Sequence, residues 1–109
     1  METGALAAAE RNGFEVTSGN PTPPWKSRKN RLAECVKSIA SEQGRELTER
    51  VIHGGLECSY FSVKNPSLEI VSVGTTNLDI HSPKERLYLP SVEPTVKLIM
   101  ETLKRGVIE

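Results

Sequence analysis

Two stretches hold the residues of this chain best suited to chemistry, His81-Ser82-Pro83-Lys84-Glu85 and His53-Gly54-Gly55-Leu56-Glu57-Cys58. Neutral imidazole is a common zinc ligand, and a histidine just past a strand's end is held rigidly by the sheet. His81 follows the apolar run Leu68-Glu69-Ile70-Val71-Ser72-Val73, which reads as a buried strand. Ligands of open α/β sheets gather at that carboxyl edge. Pro83 stiffens the chain beyond the histidine, and Glu85 stands where it can orient the ring as an acceptor. The alternative is a loop histidine without a ligand, since a single residue carries little specificity.

In the second stretch, two glycines between a strand and a helix allow backbone amides to approach a ligand. The helix start that follows favours an anion such as a carboxylate. Gly55, Leu56 and Glu57 are therefore candidates for substrate contact. An ordinary turn with an acid stabilised by the helix dipole explains the same residues. Cys58 with His53 makes a poor nucleophile and base, because no third group orients them and the thiol faces packing. Paired ligand spacing of the zinc-finger kind is absent. Arg28, Lys29 and Arg31 read as a solvated helix start, and Trp25 among prolines as a packed linker anchor.

Positioning these residues requires regular elements around them. Residues 2–12 read as an alanine-rich helix stopped by Gly13, and Phe14 to Thr17 as a brief strand. Residues 18–25, with three prolines and a glycine, form a connection. Leu32, Cys35, Val36, Ile39 and Ala40 recur at helical spacing, with Asn30 as N-cap and Gly44 as stop. Leu47 to His53 reads as a strand whose buried end is Val51-Ile52, and residues 56–61 as a helix ended by Asn65-Pro66. Residues 86–90 form a short extended piece. Ser91 is placed to cap a last helix with the stripe Val92, Val96, Ile99 and Leu103, closed by Gly106. The alternation predicts an α/β fold with an incomplete, mainly parallel sheet covered by helices.

A chain of 109 residues is one small domain or part of a larger one. Fourteen basic residues balance fourteen acidic ones, which offers no footprint for nucleic acid or an anionic membrane. No apolar run is long enough for a transmembrane helix, and the first residues lack the features of a signal peptide. Two cysteines without CxxC spacing read as reduced thiols of a cytoplasmic protein.

His53-Gly54-Gly55-Leu56-Glu57-Cys58, then Ile70-Val71-Ser72-Val73-Gly74-Thr75-Thr76, then His81-Ser82-Pro83-Lys84-Glu85-Arg86 resemble the closing part of the aminoacyl-histidine dipeptidases. These are Xaa-His dipeptidases among the co-catalytic zinc metallopeptidases. The family carries H-x-G-L-E-C-G, a strand and H-S-P-x-E in this order and at about this spacing. Thr17-Ser18-Gly19 with Pro24-Trp25 is similar to the segment leaving the family's lid domain.

The resemblance implies that residues 1–25 are the end of a lid domain with its linker. Residues 26–109 would then be the C-terminal portion of a metallopeptidase catalytic domain. It maps a zinc ligand onto His81 and a turn beside the active site onto Gly55, Leu56, Glu57 and Cys58. It further implies two zinc ions or other divalent metals, a bridging water, a glutamate general base and a dipeptide substrate. A homodimer of the complete enzyme is compatible with it. The other ligands and the base fall in an N-terminal half of the domain, so the expectation is a chain inactive by itself. Ser59 stands where the family has glycine after the cysteine, and Pro24 where glycine precedes the tryptophan. A non-catalytic α/β remnant serving as a binding or scaffold module is the competing expectation.

Overall fold

Asn30 caps the helix on which the core is built. Its backbone is extended, and its side-chain oxygen accepts a hydrogen bond from the Ala33 amide at 2.6 Å. That satisfies one of the amides a helix start leaves unpaired. Helix α2 (Arg31–Glu42) follows, and the positive φ of Gly44 closes it. In this computed structural model residues 2–17, 19, 22–24, 28–52 and 55–106 are described. Before α2 lies α1 (Glu2–Arg11), which Gly13 at φ 78° ends and which packs on no other described element.

Beyond α2 come α3 (Cys58–Lys64), two short strands β1 (Asn77–Leu78) and β2 (Arg86–Leu87), and α4 (Val92–Arg105). The strands pair antiparallel, Asn77 opposite Leu87 and Leu78 opposite Arg86. A single 3-10 turn, Leu89–Ser91, leads into α4. The core is the seam between α2 and α4, where Val36, Ile39, Ala40 and Leu98 are buried and Leu32, Cys35 and Leu47 pack against them.

Several expectations are corrected here. The expected parallel sheet is not formed among the described residues, where the sheet is the two-stranded antiparallel pair. Residues 47–52 and 68–73 form neither helix nor strand and enter no ladder among the described residues, and Val51 and Ile52, expected buried, are largely exposed. Pairing requires a neighbouring strand, and neither run has one among the described residues. Phe14 to Thr17 is likewise an exposed connection rather than a strand.

In α4 the buried face carries Thr95 and Leu98, while Val96, Ile99 and Leu103 of the expected stripe are exposed. Ser91 is not a side-chain cap. Its hydroxyl donates to the Tyr88 carbonyl at 2.6 Å and accepts from the Thr76 amide at 2.9 Å. It thereby ties the approach to β1 onto the start of α4.

The basic cluster does more than face solvent. Arg28 donates to the carbonyl of Pro66, and Arg31 pairs with Glu69 through its amide at 2.8 Å and its Nε at 3.5 Å. Asn30 adds a bond to the Ile70 carbonyl at 3.3 Å. Residues 66–70, a turn and the segment after it, are thus fastened to the start of α2 by polar contacts.

The radius of gyration is 18.8 Å, against about 13 Å for a closed domain of about 100 residues. Accessible surface is 9336 Å², where a folded monomer of this mass exposes roughly 6,000 Å². The seam between α2 and α4 is too small to cover the remaining apolar side chains.

Candidate functional site

The loop between β1 and β2 presents His81. Asp79 and His81 both have positive φ, 54° and 64°. Asp and His are among the non-glycine residues that tolerate this region best. Four polar contacts hold the loop. Arg86 Nη2 lies 2.8 Å from Asp79 Oδ2. The Ser82 hydroxyl donates to the Asp79 carbonyl at 2.7 Å and accepts from the Lys84 amide at 3.1 Å. The Glu85 amide donates to the Ser82 carbonyl at 3.1 Å. Ser-Pro thus completes a turn in which the serine side chain replaces missing backbone partners.

His81 is exposed, and its imidazole has no hydrogen-bond partner among the described residues. No contact between the Glu85 carboxylate and the imidazole occurs among the described residues. No group of three or more His, Cys, Asp or Glu side chains that could hold a metal occurs among the described residues. His81 fits as one donor in a larger ligand set, because its ring is unengaged and its backbone fixed. A catalytic zinc needs about three protein ligands, so this donor alone is insufficient.

The second candidate group lies apart from that loop. Gly55 and Leu56 line an open cavity of about 870 Å³ between the runs 47–52 and 68–73, and none of residues 79–86 lines it. A Cβ on Gly55 would meet Thr22 Cγ2 at 3.8 Å, an ordinary contact, so the glycine is not sterically required. Glu57 is exposed and makes no side-chain cap on α3. His53 and Gly54 lie outside the described residues, as does Trp25. Cys58 and Cys35 are free thiols, half-buried.

Among the described residues two buried polar atoms face no partner, the Ser59 hydroxyl and Arg45 Nη1, and both residues line the cavity. The pair that braces the His81 loop, Asp79 and Arg86, was not among the expected site residues. Their placement two residues before and five after His81, with opposite charges, is the signal that could have marked them.

The family model described as peptidase family M20/M25/M40 matches residues 3–105. The chain belongs to that family. That family is one of peptidases by its description. The chain is 40% identical over 55 residues to the protein named cytosol non-specific dipeptidase of Escherichia coli (strain K12). That stretch is 50% of this chain and 11% of the relative, so the likeness spans about a tenth of the relative's length. No solved structure matches. No helix among the described residues is long and apolar enough to cross a membrane.

Proposed function

We propose that this M20/M25/M40 chain is the C-terminal segment of the catalytic domain of a zinc-dependent dipeptidase, inactive alone. His81 donates one metal bond. The observation that carries the reading is the His81 loop, a fixed backbone presenting an imidazole with no partner of its own. The substrate class is a dipeptide of the aminoacyl-histidine type. The curated relative's name supports a dipeptidase, and that name also supports a cytoplasmic location.

Zinc, when bound, supplies a hydroxide near neutral pH and polarises the scissile carbonyl. This chain's contribution is to fix the imidazole in place and leave its lone pair available. Gly55, Leu56 and Glu57 border the substrate side. The remaining ligands, the general base and the second metal's donors come from the N-terminal half of the domain.

The runs 47–52 and 68–73 support that partner. No amide from Glu69 to Thr75 has a hydrogen-bond partner among the described residues. A row of unpaired amides beside an open cavity offers an edge on which adjoining strands can pair. The small core and the large exposed surface disfavour a free-standing scaffold module.

The test supplies the missing half and measures zinc by competition titration. Zinc binding is expected in the assembled domain and not in this chain alone. His81→Ala should weaken it well beyond the roughly 10- to 100-fold that changes behind a ligand cost. Unchanged zinc affinity in that variant would defeat the assignment. A sharp, metal-independent thermal transition of the chain alone would instead favour the scaffold module.

A further inference from the structure

We propose that Asp79 and Arg86 are positioning residues for His81. Their ion pair closes the β1–β2 loop and holds the His81 backbone in the left-handed region, from which the imidazole is offered to a metal ion. The inference rests on the reading of His81 as a ligand.

Left-handed backbone is unfavourable for an L-residue and persists where its surroundings fix it. Here two such residues, Asp79 and His81, stand one residue apart. Burial cannot be what fixes them, since the side chain between them, Ile80, is 54% exposed. The polar contacts are what remain. Arg86 is held in β2 opposite Leu78, so its guanidinium reaches Asp79 from a paired, fixed backbone. Ser82 ties the same Asp79 through its carbonyl. Both contacts end on Asp79 and neither on the imidazole, so they set the backbone around His81 while leaving the ring unengaged.

A bare structural role would be to staple the hairpin. The two roles separate in nuclear magnetic resonance of the 109-residue chain. A strong intraresidue HN–Hα cross-peak reports positive φ at His81, and the Leu78–Arg86 cross-strand contacts report the hairpin. Asp79→Asn removes the charge yet keeps a residue that tolerates left-handed backbone. Arg86→Gln removes the other charge, and Arg86→Lys restores it.

The expected result is a strong His81 cross-peak in the wild type and in Arg86→Lys, and its loss in Asp79→Asn and Arg86→Gln. The methyl resonances of Ile39 and Leu98 should stay in place. Persistence of the cross-peak in both charge-removing variants would overturn the inference, as would its loss together with the hairpin contacts.

Zinc titration of the assembled catalytic domain is the second readout. Arg86→Gln should weaken zinc by about tenfold, the scale of changes behind a ligand, with recovery in Arg86→Lys. If His81→Ala leaves zinc unchanged, the ligand reading is what has failed. If His81→Ala abolishes binding while Arg86→Gln binds as wild type, the clamp alone has failed.

Discussion

Arg105 grips Glu42 with both ends of its guanidinium, Nη2 to Oε2 at 2.5 Å and Nη1 to Oε1 at 3.0 Å. The pair joins the last turns of α4 and α2, directly beyond the buried seam. Arg105 also reaches Glu101 one turn back at 3.1 Å. Planar, two-pronged pairing of this kind is the strongest form of arginine–carboxylate contact.

The hydrogen bond from Arg105 holds the Glu42 carboxyl below its ordinary range of about 4.5. A carboxylate whose folded pKa is lowered contributes its stabilisation above the ordinary value and loses it as pH falls through the lower one. Contact between α2 and α4 should therefore be fully supported at neutral pH and weaken below about pH 4.5. Glu42→Gln should remove that acid-side component. Both side chains are accessible, so salt should screen the effect. Helical ellipticity followed against pH in the wild type and in Glu42→Gln checks this, and identical acid-side profiles would contradict it.

Asn30 carries two jobs, capping α2 and holding the Ile70 carbonyl. Asn30→Ala should cost about 1 kcal/mol from the lost cap. Protection of the first-turn amides of α2 in hydrogen exchange should fall. Asn30→Asp keeps the oxygen acceptor but not the amide donor, so it should retain the protection of α2 while releasing Ile70. Unchanged protection in Asn30→Ala would show that the cap is unimportant.

Ser59 is 1% exposed, and its hydroxyl is without a partner among the described residues. An unsatisfied buried hydroxyl costs on the order of 1–3 kcal/mol. Ser59→Ala should therefore leave stability unchanged or raise it by about 1 kcal/mol, read as a higher midpoint for loss of helical ellipticity. In the assembled domain the opposite sign would mean that the hydroxyl finds its partner in the other half.

Element by element, the sequence reveals what local rules govern. Asn30, the Leu32-to-Ala40 spacing and Gly44 mark α2 because capping and helical periodicity act within a few residues. The stop at Gly106 is legible for the same reason. The face of α4 was misread because Thr95 is polar by composition yet buried, its hydroxyl returned to the Ser91 carbonyl at 2.8 Å. Hydropathy gave its weight to Val96, Ile99 and Leu103, an apolar face that no described element covers.

The parallel sheet failed for a different reason. Val51, Ile52, Ile70 and Val71 have the composition of strands, but a strand is a relationship with a neighbour, and composition cannot supply the neighbour. At the candidate site, residue type and motif put His81 forward in the sequence. Of the Asp79–Arg86 clamp the sequence shows only the opposite charges near His81, because their meeting depends on the register that sets Arg86 against Leu78.

The run from Glu69 to Val73 has one more consequence, for the life of the polypeptide in a cell. Its Ile70-Val71-Ser72-Val73 is β-prone, uncharged and free of proline, with no ladder partner among the described residues. An unpaired edge of that composition is a template for another copy of itself. Made without its complement, the chain should stack into fibrils as its concentration rises or be removed by proteases first. A lysine at Val71 should delay the first fate and not the second.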